Sequence, residues 1–162
     1  MDDLVKRDGL YYEKFTDVPY TGDVTGDEQG SFKNGKREGA WVWFWENGQL
    51  REKFNFKNGK RDGAFILYLD NGELKAKGNL KNGKSDGAMV VYWENGQLNV
   101  KGNYKNGKRE GAWVSYWENG QLRRKGNYKN GNKDGAWVSY NEDETVNKRY
   151  TGTYKDGVKI SD

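Results

Sequence analysis

The chain has 162 residues, of which 23 are Gly and only 28 are Leu, Ile, Val or Phe, a poverty that would suggest disorder if 7 Trp, 11 Tyr and a net charge of only +4 did not oppose it. It contains no Cys and no His, which excludes disulfides, Cys/His zinc sites, thiol nucleophiles and any acid–base scheme running through imidazole. No apolar run approaches the roughly 18 residues of a membrane-spanning helix, and Met1-Asp2-Asp3-Leu4 lacks the basic and apolar regions of a secretory signal; a removed signal would leave the same start, so the compartment stays open.

Residues 1–29 hold the only proline, Pro19, and the first 30 residues carry a net charge of −5, against +9 for the rest. This stretch is expected to be an acidic capping segment. From Gly30 the chain falls into register with a period of 24 residues. Five repeats are expected over 30–140, as 30–53, 54–77, 78–101, 102–125 and 126–140, the last with its second half diverged. Residues 141–162, which include Gly152-Thr-Tyr-Lys-Asp-Gly157, are expected to form a diverged C-terminal cap repeat.

Nine Asn-Gly pairs punctuate the repeats, spaced alternately 13 and 11 residues apart. Asn-Gly between alternating apolar residues signals a two-residue hairpin turn, because both turn positions need positive φ. Each repeat is therefore expected to be two short antiparallel strands, stacked edge to edge into an open, elongated, twisted all-β sheet of eleven or twelve strands. If Asn119-Gly120 is such a turn, Glu118 faces Gln121, Trp117 faces Leu122, Tyr116 faces Arg123 and Trp113 faces Gly126. One face would carry Trp113, Trp117, Leu122, Gly126 and Tyr128, with the Trp113 indole lying on Gly126. The other would carry Val114, Tyr116, Arg123, Lys125 and Asn127.

That second face supplies the candidate binding residues. An aromatic row runs Phe44, Tyr68, Tyr92, Tyr116, Tyr140, and a basic set comprises Arg51, Lys53, Lys75, Lys77, Lys101, Arg123 and Lys125. Two readings stand side by side: a surface for a protein or an anionic partner, or a solvated sheet face whose lysines deter aggregation. Single-stranded nucleic acid also suits Tyr beside Lys, but is disfavoured.

Other motifs are weaker. Gly78-Asn-Leu-Lys-Asn-Gly-Lys-Ser85 matches a phosphate-loop expression letter for letter. That loop works only at the start of a helix, whereas Met89-Val90 continue a strand pattern here. Glu38, Asp62, Asp86, Glu110 and Asp134 precede the turn glycine in each repeat; neighbouring Lys and Arg favour turn hydrogen bonding over a calcium ladder. No catalytic residue, metal site or cofactor is expected.

The pattern Tyr104-Lys-Asn-Gly-Lys-Arg-Glu-Gly-Ala-Trp-Val-Ser-Tyr-Trp-Glu-Asn-Gly-Gln-Leu122 resembles the MORN-repeat variant of bacterial proteins, closely over 30–140 and loosely over 141–157. The resemblance implies a β-hairpin solenoid. It also implies protein and phospholipid contacts, and some relatives are labelled antitoxin components. Phe65, Met89 and Leu69 depart from the Trp pattern and thin the middle of the aromatic face. The expected function is a non-enzymatic scaffold for protein–protein binding, with an antitoxin or immunity role as one form of it. The alternative is peripheral binding of anionic phospholipid headgroups or other polyanions through the Lys and Tyr rows. Neither the partner's identity nor the oligomeric state is legible.

Overall fold

The computed structural model describes residues 3–162, so Met1 and Asp2 of the acidic segment lie outside the described residues. Fifteen strands and no helix are found among the described residues. β1 (Leu4–Arg7) and β2 (Leu10–Glu13) make a separate hairpin. β3 (Gly22–Val24), β4 (Glu28–Lys33), β5 (Lys36–Phe44), β6 (Leu50–Lys57), β7 (Lys60–Tyr68) and β8 (Leu74–Lys81) begin one large sheet. It continues through β9 (Lys84–Tyr92), β10 (Leu98–Lys105), β11 (Lys108–Tyr116), β12 (Leu122–Lys129), β13 (Asn132–Ser139), β14 (Gly152–Lys155) and β15 (Val158–Ser161). All thirteen neighbours follow chain order, every pairing is antiparallel, and the sheet does not close. The strand beyond the expected twelve is β3, which joins the edge ahead of the first repeat.

The two Asn-Gly series form different turns. In the first, Asn106 and Gly107 have φ of 51° and 81°, and Lys105 pairs with Lys108 across a two-residue loop. In the second, only Gly120 has positive φ, 84°, and the loop is one residue longer. The Gly120 N–H donates to the Trp117 carbonyl at 2.9 Å, and the Trp117 N–H to the Gln121 carbonyl at 2.8 Å. Asn119 serves here through its side chain, whose Oδ1 accepts the Gln121 N–H at 2.9 Å.

This longer loop corrects the expected register. Trp117 faces Gln121 instead of Leu122, and Tyr116 pairs with Leu122 instead of Arg123. Arg123 is absorbed in a bulge between the Tyr116–Leu122 and Ser115–Arg124 pairs, after which Trp113 meets Gly126 as expected. Leu122 therefore joins the face of Tyr116, not that of Trp113.

The Trp113 indole is also not on Gly126. It lies over Gly102 of the preceding strand and donates its N–H to the Asn103 carbonyl at 3.1 Å. Trp41 over Gly30 and Trp137 over Gly126 repeat the arrangement, with bonds to the Ser31 and Asn127 carbonyls of 3.1 and 2.9 Å. Gly102 lies opposite Trp113 on that side, next to the Lys101–Val114 pair, and the register then shifts around Gly111, whose φ is 68°, so that three residues of β11 oppose one of β10 before Asn103–Glu110.

Burial concentrates on this aromatic face in two groups. Phe32, Trp41, Phe54, Phe56 and Phe65 form the first; Trp113, Trp137 and Tyr154 form the second. The third repeat separates them, with Met89 and Leu80 where its neighbours carry rings. Tyr11 and Tyr20 pack on Phe32 with centroids 4.7 and 5.9 Å away, so the N-terminal segment covers one end of this face.

Candidate functional site

The outer face is built from three rows on the odd-numbered strands, with the last aromatic, Tyr140, just beyond the end of β13. Ala40, Ala64, Ala88, Ala112 and Ala136 are exposed, Val42, Ile66, Val90, Val114 and Val138 half-buried, and the row Phe44, Tyr68, Tyr92, Tyr116 and Tyr140 half-buried beside them. Equivalent residues lie two strands apart, about 9.6 Å. Lys101 pairs with both Val90 and Val114, and Lys125 with Val114 and Val138, so each lysine stands between two β-branched residues. Lys53 and Lys77 occupy the same positions earlier, and all four are exposed. Shallow troughs recur one repeat apart: Ala88, Val90, Lys101, Asn103, Ala112 and Val114 line one, and Ala112, Lys125, Asn127, Ala136 and Val138 the next.

The remaining members of the basic set are not in this row. Arg51, Lys75 and Arg123 are the extra residues of the bulges beside the long turns. The Arg51 guanidinium lies 5.6 Å from the Trp45 ring and 3.1 Å from Glu52, and Arg123 lies 4.3 Å from the Trp117 ring. The two-residue turn assumed for Asn119-Gly120 had put them on the outer face. The bulge moves them to the margin.

The margins of the sheet are stitched by turn-to-turn hydrogen bonds. The carboxylates of Glu38, Asp62, Asp86 and Glu110 accept the backbone N–H of Asn58, Asn82, Asn106 and Asn130 at 2.7–2.9 Å. This is the turn role expected of the acidic series, found among the described residues at four of its five members and not at Asp134. Gly83-Lys84-Ser85 leads into strand β9, not a helix. On the opposite margin the Trp93 and Trp117 N–H groups donate to the carbonyls of Tyr116 and Tyr140 at 3.2 and 3.3 Å, while the buried Trp45 N–H has no partner.

The inner face carries a second set of cations, which the sequence reading did not single out. Arg37 lies 4.5 Å from the Trp41 ring, Arg61 3.6 Å from Phe54, Arg109 4.8 Å from Trp113 and Lys133 4.7 Å from Trp137. At the first of these, Glu28 balances the charge: its carboxylate accepts from Arg37 at 2.8 Å and from the Trp43 indole at 2.9 Å. The positions 24 residues apart from Glu28 read Glu52, Ala76, Val100 and Arg124, and those from Trp43 read Leu67, Val91, Ser115 and Ser139. The face thus changes along the sheet from acid-balanced and aromatic to basic and hydroxylic. That break in an otherwise regular period is the signal that could have found Arg124.

Four stretches of the chain, 37–58, 61–82, 85–106 and 109–130, match the family model described as MORN repeat variant. The chain belongs to the MORN repeat variant family. MORN repeats are generally binding or scaffold units. The 24-residue MORN period here is one hairpin with its two unlike turns. No curated protein matches the chain. Among solved structures, a chain in "Crystal structure of GtfA/B complex bound to UDP and GlcNAc" is similar at 14% identity with a TM-score of 0.23, over 68% of this chain and 24% of that one. A score that low says nothing of this MORN protein's activity. No helix among the described residues is long and apolar enough to cross a membrane.

Proposed function

We propose that the chain is a non-enzymatic repeat scaffold that binds a protein partner along its outer face. The observation carrying this reading is the in-phase row Phe44, Tyr68, Tyr92, Tyr116 and Tyr140, half-buried beside exposed Ala and Lys rows. An extended, repeated surface of aromatic and small residues suits contacts spread over many repeats. An antitoxin or immunity component would be one case of such binding, distinguished by a toxin encoded beside it. Residues 1–29 would cap one end of the sheet, as the packing of Tyr11 and Tyr20 on Phe32 supports, and residues 141–162 the other. In a pull-down, wild-type bait recovers a partner that the Tyr92→Ala/Tyr116→Ala double variant loses; equal recovery by both would oppose the proposal.

The second reading, an anionic phospholipid surface, is favoured by the exposed row Lys53, Lys77, Lys101 and Lys125. Co-sedimentation with anionic vesicles separates the two, since lipid binding must weaken as salt rises.

A further inference from the structure

On the inner face, at the second burial group, β12 runs between β11 and β13 so that Arg124 pairs with Ser115 on one side and Ser139 on the other. Both serines are buried, at 7% and 5% exposure. The Arg124 Nε–H reaches the Ser115 hydroxyl at 3.4 Å. Arg109 reaches over from β11, donating to the Tyr128 hydroxyl at 3.0 Å and stacking 5.2 Å from its ring. Lys133 stands over Trp137 and Tyr154, 4.7 and 4.3 Å from their centroids. Arg109, Ser115, Arg124 and Tyr128 line a cavity of about 30 Å³ together with Trp113, Trp137, Val100 and Val114, and Lys133 stands outside that lining.

The arrangement is charged in one sense only. Arg124 and Lys133 stand four 24-residue periods on from Glu28 and Arg37, so a pair of opposite charges has become a pair of like charges. Among the described residues no carboxylate forms a salt bridge with Arg109, Arg124 or Lys133. Burial lowers the pKa of both Arg124 and Lys133, with neighbouring Arg123 and Arg124 lowering them further, respectively. Partly desolvated like charges beside a cavity are costly unless an anion shares the space. The cavity exceeds the roughly 10–15 Å³ that one water requires and is open to solvent, so it has room for one or two oxygens of an anion whose remainder faces outward. Guanidinium groups present paired donors matched to oxyanions, and buried hydroxyls can supply further donors.

We propose that this cluster is a binding site for a small oxyanion, a phosphate or carboxylate group, held by Arg124 and Arg109 with Ser115 and the Tyr128 hydroxyl around it and the Lys133 charge acting from beside the cavity. It lies on the face opposite the Tyr and Lys rows and stands independently of the partner surface proposed above. It also occurs once, because only the repeat containing Arg124 has this combination.

Titration of the full chain with inorganic phosphate, and separately with acetate, at constant ionic strength tests the site, with binding read by calorimetry and by the shift of the Arg124 Nε–H resonance. Phosphate binding alone assigns the site to phosphate groups, and binding of both anions to oxyanions in general. Arg124→Val is expected to weaken binding about tenfold or more, while Lys57→Ala, at the end of β6 and six strands away, leaves it unchanged. Val100 occupies the same repeat position as Arg124, so the variant has a precedent within the chain. Lys133→Gln offers a second variant with the arginines intact, and is expected to weaken binding less than Arg124→Val. The proposal is overturned if neither anion binds the wild type, or if Arg124→Val binds as the wild type does.

Discussion

The Trp113 indole lies over Gly102, eleven residues earlier in the chain, and a Cβ at that glycine would run into the ring. The aromatic face repeats this relationship at Trp41 with Gly30 and at Trp137 with Gly126. Gly102→Ala should therefore cost about 1–3 kcal/mol through overpacking, measured by urea denaturation. The second repeat has a different solution, Phe65 stacked on Phe54 with centroids 5.4 Å apart and planes 13° from parallel. Gly102→Phe combined with Trp113→Phe should be less destabilised than the single costs sum to, by about 0.5–3 kcal/mol in a double-mutant cycle.

The two turn types respond differently to substitution. Asn106 sits at φ 51°, so the β-branched side chain of Asn106→Thr should cost about 1–2 kcal/mol. At Asn119 only a side-chain acceptor for the Gln121 N–H is required, and Asn119→Ser should stay within about 0.5 kcal/mol of wild type. Comparison of their denaturation midpoints checks both.

Removing a turn carboxylate should loosen adjacent repeats. Asp86→Ala leaves the Asn106 N–H without its 2.9 Å acceptor and should destabilise by about 1 kcal/mol. Hydrogen exchange should accelerate first at Asn106 and Gly107.

The tryptophans beside the long turns should not be equivalent. Trp93→Phe removes a hydrogen bond to the Tyr116 carbonyl, whereas Trp45→Phe removes a buried N–H that has none. The first should cost about 1 kcal/mol more than the second in the same denaturation assay.

Lys133 gives the inner face a pH signature. Burial and the nearby Arg124 charge lower its pKa from 10.5, so between its folded pKa and 10.5 the unfolded chain binds more protons than the folded one. Its contribution to stability consequently improves as pH rises through that window. Chemical denaturation across the window should show a smaller upward slope for Lys133→Gln than for wild type.

The 24-residue period, the hairpins and the chain-order sheet were legible because the Asn-Gly pairs and alternating aromatics recur in phase. The register beside the second turn was not. Lys-Asn-Gly-Lys and Glu-Asn-Gly-Gln share their central pair, yet Asn106 enters positive φ while Asn119 accepts a hydrogen bond through its side chain. A one-residue difference in loop length moved Leu122 to the other face and set Arg51, Lys75 and Arg123 at the margin. The outer Tyr and Lys rows were visible as repetition, whereas the Arg109, Arg124 and Lys133 cluster exists where repetition fails. Its signal was the column Glu28, Glu52, Ala76, Val100, Arg124, which becomes meaningful once β12 is placed between Ser115 and Ser139.

Site-specific photo-crosslinking tests the partner face most directly. A photoreactive phenylalanine analogue replaces Tyr116 on the outer face or, in a second protein, Tyr104, which packs edge-on to Trp113 on the inner face with centroids 5.1 Å apart. The outer-face scaffold predicts a discrete protein adduct from position 116 and none from position 104. An adduct from 104 with none from 116 would contradict it.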